Sequence, residues 1–422
     1  MRLRFSHLPY VLTLIAMPLP WLVPFSTLDA ITWTPEILAL TAFVYLVSVE
    51  KVAPTFKTSH ILIVLIFSAH LVGQLLSGIG IGGSAIISVM VMSLLFYLFF
   101  RSAPEDWVAE RLIGQVSIIY VIHVCFILIE AILLSTGNTS ILVTLSGGQY
   151  KPAQELFYGE VPQSLSNQSQ AASQLCVFSA TWFAMLYVSR KPLRIRFGLI
   201  YAAVLTASLA VFAVYPTTMI LIVAIILVFC IVYLIPIAKS MFLRVLVLIV
   251  AGVSFEPVYE MIIYKFSQDL YSRAFEYQEA FLSPINAFFE LPLSAKLLGV
   301  GSIGSIAKSG VQSADLGIGI VILQIGLVLG VFAIVALLFL VLRALRLGYH
   351  KHLNDPHVYR WVWLGSVSSL IVIGNLLSLF HYTVALQTGG RTLFSLHIAI
   401  LMLSLQHLVR YRRSTIMAEA TR

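Results

Sequence analysis

The chain has little charge. Of its 422 residues only 10% are Asp, Glu, Lys or Arg, while 59% are hydrophobic, and a water-soluble surface on a protein of this length needs far more charge than that. A soluble globular fold is excluded. Cysteine is just as scarce. Cys125, Cys176 and Cys230 form an odd set within or beside apolar stretches, with no paired spacing and no neighbouring His cluster, so neither a disulfide framework nor a zinc site is expected. The sequence also has no DxD, HxxxH, GxSxG or CxxC and no GxxxxGK[ST] loop, which argues against a metal-held sugar nucleotide, an ATP site and a bound cofactor.

Long apolar runs are abundant. About 20 apolar residues cross a bilayer core, and the runs between charge and turn clusters predict roughly twelve spans in one all-α, polytopic membrane domain covering residues 1–422. The first six fall near 8–26, 34–50, 60–77, 82–100, 117–136 and 173–189; the second six near 197–213, 216–235, 240–256, 316–342, 361–380 and 392–409. The first run follows Arg2 and Arg4 like a signal peptide, but it carries Pro18 and Pro20 and no small-x-small cleavage site. It is expected to be retained as a span.

The net charge of +8 does not read as a nucleic-acid patch, because the basic residues are scattered between apolar runs. With the amino terminus inside, twenty of the 26 Lys and Arg fall on the inside, and Lys151, Lys265, Arg273, Lys296, Lys308 and Arg391 remain outside. The positive-inside rule therefore places both termini in the cytoplasm. Two outer segments, 137–172 and 257–315, exceed what twelve packed helices need for connection. Seven carboxylates run from Glu256, at the edge of the longer one, to Asp315, mixed with four of the outer basic residues, and this loop is the expected seat of function.

Within that loop, Tyr271 to Glu279 reads as a short helix with Arg273, Glu276 and Tyr277 sharing a face. In solvent such a pair contributes little. Desolvated, a guanidinium held by Glu276 is suited to grip a phosphate or pyrophosphate through two parallel hydrogen bonds. The run Leu298-Gly299-Val300-Gly301-Ser302 is a turn that allows close backbone approach, and Lys308 follows it. Asp315 stands where the next span begins, either as a charge at a helix start or as a base for a sugar hydroxyl. His381 closes a later outer span, Gly389-Gly390 lie between the spans and permit tight approach, and Arg391 opens the last span, either reaching to head groups or making a second phosphate contact. His123 and Glu130, two helical turns apart in one span, offer a proton relay or a hydrogen-bonded pair. His70, His397 and His407 lack carboxylates at helical spacing and are expected to be structural. No inverted pair of broken helices is evident, which argues against a secondary transporter.

The order Ser272-Arg273, then Leu298-Gly299-Val300-Gly301, then Ser313-Ala314-Asp315, then Gln324-Ile325-Gly326-Leu327-Val328-Leu329-Gly330 resembles the O-antigen polymerase and ligase superfamily of bacterial inner-membrane glycosyltransferases, its Wzy-type polymerases in particular. The resemblance covers topology and this one motif region. It implies metal-independent polymerisation of oligosaccharide units carried on undecaprenyl pyrophosphate at the periplasmic face of a bacterial inner membrane. It makes Arg273, Glu276 and Asp315 the candidate catalytic residues, with Arg391, Lys296, Lys308, Tyr277 and His381 as candidate substrate-binding residues. Implied partners are the lipid-linked oligosaccharide, membrane lipid and a chain-length regulator, without nucleic acid. Related ligases carry a His in the large loop, and residues 257–315 have none, which favours polymerase over ligase. A flippase or transporter of lipid-linked sugars is the rival class, and an envelope scaffold the third.

Overall fold

A computed structural model describes residues 8–17, 34–48, 68, 72, 85–103, 105–136, 169–188, 286–300, 317–348, 356–378 and 388–420. All the regular structure among them is helical: α1 (Leu8–Ala16), α2 (Thr34–Ser48), α3 (Ala85–Arg101), α4 (Glu105–Ser135), α5 (Ser169–Val188), α6 (Leu293–Leu298), α7 (Gly317–Gly348), α8 (Pro356–Ser378) and α9 (Thr388–Ala420). Four of these contain stretches long and apolar enough to cross a membrane: Trp107–Glu130, Val321–Arg346, Val358–Ser378 and Gly390–Tyr411. Shorter apolar helices lie at Thr34–Tyr45, Ser88–Arg101 and Gln174–Phe183. The protein is a helical membrane protein. The spans expected near 197–213, 216–235 and 240–256, and the loop segment 137–168, lie outside the described residues.

Helix ends depart from the hydropathy reading in a consistent way. α4 begins at Glu105, about twelve residues before its expected span, because a helix continues past the membrane edge through any sequence that satisfies its backbone. Gly389 and Gly390, expected between the spans, belong to the first turn of α9, where Gly390 is buried.

The interior is built on α8 and α9, which pack along each other; α9 also packs on α3, and α7 covers both α8 and α9. Within the membrane-crossing stretch of α9, 89% is buried, against 33% for α7. α7 therefore turns most of its surface outward, with Val328, Phe339 and Leu342 exposed, as lipid-facing side chains should be. Lipid is as apolar as Leu, so helix association here depends on close packing and polar contacts between helices. Both are present. Gly365 of α8 sits so close to α9 that an added Cβ would lie 2.6 Å from Ser404 Oγ, while the Ser404 hydroxyl donates to the Trp361 carbonyl. Large aromatic groups fill the remaining space: Tyr10 stacks on Phe99 at 4.7 Å, and Trp182 meets Trp363 edge-on at 4.8 Å.

Side-chain pairs give the bundle two distinct ends. At one, Tyr97 donates to Gln406 Oε1 at 2.6 Å, Arg101 lies over the Tyr97 ring, Trp361 stacks on His407 at 4.2 Å and Arg360 pairs with Glu110 at 2.6 Å. Arg101, Arg360 and Arg410 thus gather at the end where α9 finishes. The other end, about 27 Å away along eighteen residues of α9, is where α9 starts and where α2 meets it.

Candidate functional site

Most of the residues expected to act fall outside the described residues: Arg273, Glu276, Tyr277, Lys308, Asp315 and His381. Lys296 and Arg391 are described, and each has a defined setting.

Lys296 lies in the last turn of α6. Its Nζ donates to the Phe289 carbonyl at 2.7 Å. Phe289 belongs to a helical stretch at 286–290, so the ammonium satisfies a carbonyl at a helix carboxyl end, a position where positive charge is favoured by the dipole. Lys296 therefore holds the fold of its own segment, a role the loop reading did not include.

Arg391 is half-buried in the first turn of α9. Its neighbour Thr392 is buried and donates to Glu36 Oε1 at 2.8 Å, across 356 residues of sequence. Glu36, in the first turn of α2, is only 7% exposed. Its second oxygen, Oε2, is buried with no hydrogen-bond partner among the described residues. A buried carboxyl group needs partners to offset desolvation. Here the Thr392 hydroxyl, from another helix, supplies one. The sequence signal for Glu36 is an acidic residue opening an otherwise apolar helix.

Two motif segments also meet. At the end of α6, Gly299 has φ +83°, and Gly326 inside α7 has φ +75° and ψ 167°. Gly326 breaks α7 into two helical pieces, so the single span expected there is discontinuous. The break frees carbonyls, and the Leu323 carbonyl accepts from the Val300 N–H at 2.7 Å. A Cβ on Gly299 would collide with the backbone of Gln324, and one on Gly326 with the backbone of Leu297. The two glycines are thus each other's clearance: backbone lies on backbone, and the turn around 298–300 is wedged into the break at 324–326. Ala287, Ala295, Val300 and Leu323 pack around this junction. Non-helical backbone at membrane depth persists where protein covers it, and α6 supplies part of that cover.

A third polar group lies deep in the bundle. His397 is fully buried, with Nε2 2.8 Å from the Tyr120 hydroxyl and Nδ1 3.2 Å from Ser368 Oγ. Trp182 Nε1 donates to Ser117 Oγ at 2.9 Å alongside, and the Trp182 ring meets His397 edge-on. Both imidazole nitrogens have partners, so His397 serves to join α4, α8 and α9. His123 and Glu130 are both buried on α4. At seven residues apart they are separated by about 10 Å along the axis, too far for a direct proton transfer.

Comparison with protein-family models, with curated proteins and with solved structures finds no match.

Proposed function

We propose that the protein polymerises oligosaccharide units carried on undecaprenyl pyrophosphate at the periplasmic face of a bacterial inner membrane. The acceptor hydroxyl oxygen attacks C1 of the donor sugar, the C1–O bond to pyrophosphate breaks, and the lipid pyrophosphate leaves with the bonding electrons. The hydroxyl proton passes to a carboxylate, Asp315 in this reading, with Glu276 orienting Arg273. Arg273 and Arg391 stabilise the charge that develops on the departing diphosphate. Lys308, Tyr277 and His381 contact the substrate from the same face.

The observation that carries this reading is the wedge of the Gly299 turn into the Gly326 break, because it joins two of the segments on which the family resemblance rests. Further support comes from the charge distribution. The end of the bundle rich in Arg101, Arg360 and Arg410 suits a cytoplasmic face, and Arg391 stands at the opposite end, where a lipid-linked donor would present its diphosphate.

The test is to replace Arg273 by Lys and, separately, to delete the gene, then to separate lipid-linked glycans by length and by leaflet. Single units accumulating on the outer leaflet with stable, inserted protein are the expected result. Wild-type polymer from the Arg273→Lys variant would refute the assignment. Retention of single units on the inner leaflet would instead favour translocation, the second reading. That reading has its own support in the discontinuous α7, a device of transporters, and in Glu130, a carboxylate buried within a span. It predicts that Glu130→Gln stops translocation while Arg273 substitutions have little effect.

A further inference from the structure

Residues 286–298, which lead into the Gly299 turn, present three kinds of surface. Ala287 and Ala295 are buried in a cluster with Leu323 of α7 and Val300, and Phe288 and Leu291 pack against it, so one side of the segment is taken up by α7. Asn286, Glu290 and Ser294 are exposed and polar. Phe289 and Leu293 are exposed and apolar, at 69% and 72%, and Leu297, one helical turn beyond Leu293, is exposed as well. In water such a patch would be a liability without a purpose.

The patch continues a surface that faces lipid. The Leu297 backbone lies against Gly326, and the residues that follow in α7, Leu327, Val328 and Val331, are exposed along its membrane-crossing stretch. Depth agrees with this. Only residues 349–355 separate α7 from α8, which keeps Arg346, in the last turn of α7, at the end of the bundle where Arg360 stands. Gly326 lies twenty residues before Arg346, about 30 Å along a helix, and that is the thickness of a hydrocarbon core. The junction of α6 with α7 therefore sits at the opposite membrane boundary. The segment also satisfies its own backbone where its helices break, as a chain next to lipid must: the Leu291 N–H donates to the Phe288 carbonyl at 3.3 Å, the Gly299 N–H to the Ala295 carbonyl at 2.7 Å and Lys296 Nζ to the Phe289 carbonyl at 2.7 Å.

We infer that residues 286–298 lie in the bilayer surface, in the leaflet opposite the Arg101, Arg360 and Arg410 end, with Phe289, Leu293 and Leu297 among acyl chains and Asn286 and Glu290 at the water. Short helices with an apolar and a polar face take this position at the boundary between head groups and acyl chains. The long loop is thus anchored in lipid partway along its length instead of standing clear of the membrane. Lipid on one side and α7 on the other hold the turn that is wedged into the Gly326 break. This seating holds whichever reaction the chain performs; under the proposed one it keeps the paired glycine segments at the depth where a lipid-linked donor presents its diphosphate.

The experiment is spin labelling of the full chain reconstituted in phospholipid vesicles. With Cys125, Cys176 and Cys230 replaced by alanine, single nitroxides are attached at Leu293→Cys, Phe289→Cys, Glu290→Cys and, as the lipid reference, Val335→Cys, which is exposed within the span of α7. Collision with oxygen, which concentrates among acyl chains, is compared with collision with a water-soluble nickel chelate. The ratio of oxygen to chelate collisions is expected to be several-fold higher at 293 and 289 than at 290, and to approach the ratio at 335. A label at 293 that meets the chelate as readily as the label at 290 overturns the inference, because the patch then faces water. A label at 293 that meets neither reagent overturns it too, because another part of this chain or a second copy then covers the patch. A thermal melt of each variant checks folding. Leu293 and Phe289 are exposed, so cysteine there removes no buried contact; if either variant fails to insert, Leu297→Cys takes its place with the same expected ratio.

Discussion

Two contacts hold neighbouring parts of this bundle together by opposite means. Between α8 and α9 the contact is made by small side chains and hydroxyls: Gly365 beside Ser404, Ser404 donating to Trp361, and Ser368 sharing a hydrogen bond with His397. Between α6 and α7 the closest approach is backbone on backbone, with Gly299 and Gly326 each lying where the other could tolerate no Cβ. The first kind of contact can adjust, because a hydroxyl rotates and a side chain shifts. The second cannot, since the atoms in the way are peptide groups locked by their own hydrogen bonds.

The sharpest way to break this comparison is Gly326→Ala. Its φ of +75° with ψ 167° is a region almost reserved for glycine, and the added Cβ would strike Leu297 backbone. Strain and overpacking together should cost about 4 kcal/mol, seen as loss of folded protein or a large fall in melting temperature in detergent. Gly365→Ala meets only the Ser404 side chain and should cost about 1 kcal/mol. Adding Ser404→Ala to it should recover part of that loss, a non-additivity that a double-mutant cycle reads directly. Tyr120→Phe, which removes the hydroxyl facing His397 Nε2, should cost about 0.6–1.7 kcal/mol, the range for polar contacts between membrane helices. Arg360→Ala should change stability least, by about 0–1 kcal/mol, because its pair with Glu110 is open to solvent. If Gly365→Ala proved as damaging as Gly326→Ala, the distinction between adjustable and rigid contacts would fail.

Hydropathy made the membrane class and the helical content legible. It located α7, α8 and α9 to within about a dozen residues at their ends, because a lipid-spanning stretch must be apolar and must satisfy its own backbone. The glycine-bearing segments 298–301 and 324–330 were also visible as a pair, through their order along the chain. Their mutual wedge was not, since periodicity reports which face is apolar and says nothing of a single residue with positive φ. Gly326 sits in an unbroken apolar run, and only its backbone angles reveal the break. Glu36 was hidden for a different reason: its partner Thr392 is 356 positions away, and no local spacing can indicate a pairing that tertiary contact creates. Arg391 could be singled out as the one basic residue of its segment, but the carboxylate held by the next residue, Thr392, could not.

The account turns on whether Arg391 serves a reaction on a lipid-linked diphosphate. The most direct measurement reconstitutes the purified chain in liposomes with its lipid-linked oligosaccharide and no other protein, and separates the products by length. Chains of two or more units from the wild type, and none from Arg391→Lys, are predicted. Wild-type chains from Arg391→Lys, or single units persisting unchanged with the wild type, would contradict it.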